Sequence, residues 1–204
     1  MKFLALGDSY TIGESVPPTE RWPVQLAALL RERGIPLEDP EIIAKTGWTT
    51  DELAAAIQRA APQPPYALVS LLIGVNNQYR SWSQDTYRRE FAALLQQAID
   101  FAGGDPTHVI VLSIPDWGVT PFGAREPRER TPEMISAEIA AFNIINQEET
   151  ARFGARYVNI TPISQGAADD LTLLASDQLH PSGKMYALWA EAALPDAVNI
   201  LTEP

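Results

Sequence analysis

The sequence predicts an α/β fold, with one five-stranded parallel sheet covered by helices on both faces. Three observations carry that prediction. Five short apolar segments alternate with stretches whose apolar residues recur at helical spacing, which implies right-handed crossovers between parallel strands. The third segment, Tyr66 to Ile73, is almost continuously apolar, as a strand buried on both faces must be. Finally, the first three strands each run into a glycine or a small polar motif, and the carboxyl ends of strands are where such folds bind ligands.

The elements follow in order. Lys2 to Leu6 forms the first strand and runs without spacer into Gly7-Asp8-Ser9-Tyr10. After a polar stretch from Thr11 to Arg21, Trp22 to Arg33 places Trp22, Leu26, Leu29 and Leu30 on one helical face, and Gly34 and Pro36 stop it. Glu41 to Ala44 is the second strand, ending in Lys45-Thr46-Gly47-Trp48. Thr49 or Thr50 caps the next helix, with Asp51 and Glu52 in its first turn and Leu53, Ala56, Ile57 and Ala60 inward. Strand three, Tyr66 to Ile73, ends at Gly74-Val75-Asn76-Asn77. A helix of about twenty residues starts near Ser83 and is broken at Gly103-Gly104. Val109 to Ile114 is strand four, and the Pro-, Gly- and Arg-containing stretch from Pro115 to Pro132 is long enough to be read as a substrate loop or lid. Glu133 to Phe153 is helical, Tyr157 to Ile160 is strand five, and a last helix follows Pro181. No repeat or linker interrupts residues 1–204, so one domain is expected.

Composition narrows the function. Fifteen Lys and Arg against 26 Asp and Glu give a net charge of -11, which disfavours nucleic acid and anionic membranes as partners. There is no cysteine, so thiolate chemistry and Cys-based metal sites are absent and serine is the natural nucleophile. Met1-Lys2 precedes only four apolar residues, too few for the apolar region of a secretory signal, and a cytoplasmic protein is expected unless an export signal was removed. No apolar run approaches the ~18 residues of a membrane span. The oligomeric state is open.

The remaining signal is Asp177-Gln178-Leu179-His180-Pro181 before the last helix. An acid three residues ahead of the imidazole on one turn can reach Nδ1 and leave Nε2 to face a nucleophile, which supplies the base a neutral serine hydroxyl needs. Pro181 would stand at the first helical position. The other histidine, His108, opens strand four at the far end of the sheet, so the two cannot form a metal cluster and neither metal nor cofactor is expected. For acyl transfer, donors to a developing oxyanion are available from the backbone N–H of Ser9, the N–H of Gly47 and the amide of Asn76. Gly47 would let the backbone approach closely because it lacks a Cβ.

Together, Gly7-Asp8-Ser9, Gly47, Gly74-Val75-Asn76 and Asp177-Gln178-Leu179-His180 resemble the four blocks of the SGNH hydrolases, also called GDSL esterases/lipases, in the family's order and across nearly the whole chain. The resemblance implies a flavodoxin-like three-layer α/β/α sandwich. It also implies Ser9 as nucleophile, Gly47 and Asn76 completing the oxyanion hole with Ser9, and Asp177 orienting His180. One position departs: the third block usually reads Gly-x-Asn-Asp and here ends in Asn77, which puts the support of that loop in question. Asp8 is expected to brace its turn.

Trp48, Tyr79, Trp82, Trp117 and Phe122 lie just beyond the strand ends and could line an acyl pocket, stack on sugar rings, or simply seal the core edge. Arg80, Arg125, Arg128 and Arg130 are read as solvated. A small ester is the expected substrate and acetylated carbohydrate the next. The same residues permit acyl transfer to an alcohol, and a non-catalytic α/β binding module is the alternative from another class. No Gly-x-Gly-x-x-Gly or P-loop pattern follows any strand in support of that module.

Overall fold

A computed structural model of the chain describes residues 1–125 and 130–202. Its five strands are all parallel and lie in the order β2-β1-β3-β4-β5, with β1 at Phe3–Gly7, β2 at Glu41–Ala44, β3 at Leu68–Leu72, β4 at Val109–Leu112 and β5 at Arg156–Val158. This is the flavodoxin-like order, in which the chain moves first to one side of β1 and then to the other. β1 and β3 are paired in register from Phe3 opposite Leu68 to Gly7 opposite Leu72. Their carboxyl ends therefore finish side by side at the point where the strand order reverses, and whatever follows Gly7 must lie beside whatever follows Leu72.

Burial explains why the strands read as they do. Every residue of β1, β3 and β4 is buried, consistent with helices on both faces. On one face α2 (Trp22–Glu32) packs against α8 (Gly183–Thr202), with Trp22 and Trp189 wholly buried. On the other lie α3 (Thr50–Ala60), α5 (Gln84–Phe101) and α6 (Pro132–Phe153), where the Tyr87 and Phe142 rings stack with centroids 4.5 Å apart. The α3 start is set by a capping box between Thr49 and Glu52. Ser83 caps α5 through the Thr86 N–H.

Several boundaries differ from expectation for identifiable reasons. β5 stops at Val158 because the Ser113 hydroxyl accepts the N–H groups of Ile160 and Thr161 at 2.8 and 3.0 Å and draws them out of the ladder. Pro181 is not the first residue of the last helix; it pairs with Leu174 in an isolated antiparallel bridge, and α8 begins two residues later. Three short helices escape the sequence pattern: α1 at Ser9–Ile12, α4 at Val75–Tyr79 and α7 at Thr161–Gln165. At four or five residues they are too short for helical periodicity to register. The stretch from Pro115 is a folded segment with 3-10 turns at Trp117–Val119 and Gly123–Arg125, and Pro132 already opens α6; residues 126–129 of that expected loop, Arg128 among them, lie outside the described residues. No helix among the described residues is long and apolar enough to cross a membrane.

Candidate active site

Four strand ends and one late loop meet around a cavity of about 220 Å³. Ser9, Gly47, Asn76 and His180 all line it, so the four sequence blocks converge in space. Ser9 is the first residue of α1, and Asp8 caps that helix by accepting the Tyr10 N–H at 3.0 Å. As a first-turn residue Ser9 has a backbone N–H for which the helix supplies no acceptor. Asp8 has the bracing role expected of it, with an added feature. It is fully buried, and its second oxygen has no hydrogen-bond partner among the described residues. Burial pushes its carboxyl up to about 7, against the lowering effect of the Tyr10 hydrogen bond.

His180 lines the cavity and is only 9% exposed, and its Nδ1 lies 2.7 Å from Asp177 Oδ2, which leaves Nε2 as the ring nitrogen not engaged by Asp177. The Asp177 Oδ1 accepts the backbone N–H groups of Leu179 and His180 at 3.0 and 2.9 Å, which is how a three-residue spacing brings acid and imidazole together. A further donor, the Ser15 hydroxyl, reaches Asp177 Oδ2 at 2.7 Å. Partial burial works against the Asp177 charge, but the hydrogen bonds from Ser15, His180 and Leu179 outweigh it and hold the carboxyl down at about 2. The Tyr10 ring stands 5.6 Å from the imidazole, centroid to centroid. Burial, with the nearby Asp8, Asp177 and Asp116 carboxylates, raises the Tyr10 phenol and keeps it neutral.

Asn76 stands on α4, and its Nδ2 donates to the Trp48 carbonyl at 2.9 Å. That bond fixes the amide plane and leaves its second hydrogen unspent. The glycine at 47 is required by its backbone, at φ +88°, and not by crowding: a Cβ there would meet nothing within 4 Å. Close approach is the reason for glycine at 74 instead, where φ is +128° and a Cβ would run into the Tyr87 ring and hydroxyl. Asn77 answers the question its departure raised. Wholly buried, it accepts the Thr50 N–H at 3.2 Å and donates to Thr50 Oγ1 at 2.8 Å, tying the loop after β3 to the start of α3. An aspartate could accept but, ionised, could not donate.

The aromatic residues separate into two groups. Tyr79, Trp117 and Phe122 line the cavity in edge and tilted contacts, with Tyr79–Trp117 at 5.7 Å and Trp117–Phe122 at 6.2 Å. Trp48 and Trp82 are half-buried outside that lining, Trp48 serving through its carbonyl. Behind the wall is a polar clamp that sequence reasoning missed. Trp117 Nε1 donates to Gln78 Oε1 at 2.9 Å, and Gln78 donates in turn to Glu138. Arg130, read from sequence as solvated, has a side chain only 9% exposed. It pairs with Glu138 at 3.0 Å, donates to the Tyr79 carbonyl at 3.1 Å, and lies over the Tyr79 and Trp117 rings. Arg80 is also engaged, with the Gly47 carbonyl at 2.7 Å, and Arg125 donates to Gln178 at 2.8 Å. His108 is remote from the cavity, its Nδ1 2.8 Å from the Ala67 carbonyl. Among the described residues no group of three or more His, Cys, Asp or Glu could hold a metal.

The chain is similar to known proteins in family and in fold. Residues 5–188 match the model of the GDSL-like lipase/acylhydrolase family. No curated protein matches the chain. Among solved structures, TesA is 19% identical over 98% of this chain and 100% of its own, with a TM-score of 0.74. Axe2, an acetylxylan esterase from Geobacillus stearothermophilus, is 18% identical over 96% of this chain and 93% of its own, with a TM-score of 0.71. The psychrotrophic esterase EstA from Pseudoalteromonas sp. is 17% identical over 97% and 96%, with a TM-score of 0.68. At such identities the likeness concerns the fold, whereas the family match spans most of the chain. The chain therefore belongs to the GDSL-like lipase/acylhydrolase family and is, at that level, a hydrolase acting on esters.

Proposed function

We propose that the protein is a serine esterase for small carboxylic esters, with Ser9 as nucleophile, His180 as general base and Asp177 as the residue that orients it. The observation that carries this reading is the 2.7 Å pairing of His180 Nδ1 with Asp177, made by an imidazole that shares one cavity with Ser9, Gly47 and Asn76. Ser9 Oγ attacks the ester carbonyl carbon while His180 Nε2 takes the hydroxyl proton. The oxyanion of the tetrahedral intermediate accepts from the Ser9 N–H, the Gly47 N–H and the free hydrogen of the Asn76 amide. The intermediate collapses, His180 returns the proton to the departing alcohol, and an acyl group stays on Ser9. Water, deprotonated by His180, then attacks the acyl carbon, and the second tetrahedral intermediate collapses with cleavage of the bond to Ser9 Oγ, which takes the proton back from His180 as the acid leaves.

Size and lining support a small substrate. About 220 Å³ bounded by Val75, Tyr79, Trp117, Phe122 and Leu179 suits a short acyl or aryl group and has little room for a long chain. The aromatic wall and the acetylxylan esterase among the structural neighbours support acetylated carbohydrate as a second reading, with sugar rings stacked on Tyr79 or Phe122. An alcohol in place of water at the second step would give acyl transfer, and product analysis with added acceptors separates the two.

Labelling with a fluorophosphonate, mapped by peptide mass spectrometry, tests the assignment directly. Modification is expected at Ser9, with Ser9→Ala unlabelled, folded and at least about 1,000-fold slower on p-nitrophenyl acetate. Unchanged hydrolysis by Ser9→Ala would remove Ser9 from the mechanism. Rates that climb with acyl length beyond about eight carbons would overturn the small-ester reading.

A further inference from the structure

Ser15 is an outlier whose conformation has no local explanation. It lies six residues after Ser9, in the turn that leaves α1, with φ +66°. A serine in the left-handed region is uncommon, and such strain persists only where the surroundings impose it. Ser15 is exposed, and its backbone makes no hydrogen bond to another described residue. What it does make is the 2.7 Å bond from its hydroxyl to Asp177 Oδ2, across 162 residues of sequence.

That oxygen is the one that also accepts from His180 Nδ1. Oδ1 is held by two N–H groups of its own loop, so the loop fixes one half of the carboxylate by itself. The other half is shared between the imidazole and Ser15. Because Ser15 belongs to the same short segment as Ser9, its hydroxyl ties the loop carrying the base to the turn carrying the nucleophile.

We propose that Ser15 is a positioning residue for the ester hydrolysis. It fixes the rotation of the Asp177 carboxylate, and with it the His180 ring, relative to Ser9. This inference rests on the assignment of Ser9, Asp177 and His180 above. Its chemistry is that of a shared acceptor: a neutral donor on Oδ2 draws charge from the oxygen that must stabilise the imidazolium and fixes the direction in which that oxygen points.

The test compares the parent with Ser15→Gly and Ser15→Ala, and with Ser9→Ala as reference. Glycine adopts φ +66° without strain, so Ser15→Gly removes the hydroxyl while easing the backbone and stays folded where alanine could fail. Both variants are expected to lose about 3- to 10-fold in kcat on p-nitrophenyl acetate, the range of one hydrogen bond of ordinary net strength, with KM within about twofold of the parent. With Oδ2 no longer shared, the acid limb of the kcat/KM profile is expected to move to higher pH. Asp177 couples electrostatically to Tyr10 and Tyr186, and Asp8 and Asp116 act on Tyr10; these groups are common to parent and variants and cancel in the comparison. A Ser15→Gly enzyme with the parent's kcat, or a lost kcat with an unmoved acid limb, would overturn the role of Ser15. If instead Ser9→Ala keeps full activity, the underlying triad assignment has failed and not this extension of it.

Discussion

Replacing Asp8 by asparagine isolates the cost of burying a carboxylate next to the proposed nucleophile. Burial raises its carboxyl from an ordinary 3.8 to about 7, and its second oxygen has no partner among the described residues. A displacement of that size corresponds to about 4 kcal/mol, at about 1.4 kcal/mol per pH unit. The sign follows from proton binding. The unfolded chain loses the Asp8 proton near its ordinary value, whereas the folded protein keeps it up to about 7. The contribution to stability is therefore complete below about pH 4 and declines as pH rises to about 7. Asparagine caps a helix as well as aspartate does, so the Tyr10 N–H keeps an acceptor, and any steric or hydrogen-bonding cost of Asp8→Asn is the same at every pH. Urea unfolding of both proteins at about pH 4.5 and about pH 7.5 reads the effect. The stability of Asp8→Asn relative to the parent should improve by about 3 kcal/mol between the two conditions, a change in the midpoint difference on the order of 1 M urea. Asp177 and the other carboxylates are present in both proteins and drop out. A difference between the two proteins that stays flat within about 1 kcal/mol would show that Asp8 is not held protonated by burial.

Substitutions at Gly74, Asn77 and Arg130 probe the supports of the site, with Gly34→Ala and Arg130→Lys as controls. Gly74→Ala drives a Cβ into Tyr87, whose hydroxyl is pinned by the Ile73 carbonyl at 3.0 Å and Asn146 at 2.6 Å; a loss on the order of 3 kcal/mol is expected by denaturant melt. Gly34→Ala, with φ +80° but open space, should cost only about 1 kcal/mol, and equal losses would discount the Tyr87 clash. Asn77→Asp removes the donor to Thr50 Oγ1, so it should lose about 1–3 kcal/mol at pH ~8 and recover part of that at pH ~5, where a protonated carboxyl donates again. A pH-independent loss would contradict that account. Arg130→Ala frees the Tyr79 carbonyl and Glu138 together; KM for p-nitrophenyl butyrate should rise a few-fold with kcat nearly unchanged, and Arg130→Lys should not restore it because the planar fork is lost. An unchanged KM would mean that the aromatic wall stands without the clamp.

The fold was largely legible because its cause is local in sequence. Apolar runs such as Leu68–Leu72 and periodic stretches such as Gln84–Phe101 record burial on two faces or one, and the observed elements lie within a few residues of those patterns. The four blocks were legible for a related reason, since strand ends in a parallel sheet share one edge and Gly7, Ala44 and Leu72 finish on it. What could not be read depends on partners distant in the chain. Nothing about Arg130 in sequence says that Glu138 and the Tyr79 carbonyl will enclose it, and nothing about Ser15 announces Asp177. Gly47 lines the cavity, but its positive φ and not the close approach expected of it is what calls for glycine, because a positive φ and a crowded Cβ leave the same letter in a sequence.

The distance along the chain between Ser9 and His180 has a consequence for when the enzyme becomes one. Ser9 follows β1 with only Asp8 between them, while the Asp177–His180 turn is closed on itself by the Leu174–Pro181 bridge and runs into α8, which packs on α2. The proposed base can therefore stand beside the hydroxyl only once α8 has docked on α2. Until then Ser9 would lack the base proposed for it, and hydrolysis by that route could not begin on a partly assembled sheet. In refolding, the return of esterase activity would report the docking of the last helix and not the collapse of the sheet. The N-terminal and C-terminal pieces of a chain cut between β5 and α8 would each be silent and would gain activity only on reassociating, which makes the fold a built-in reporter of its own completion.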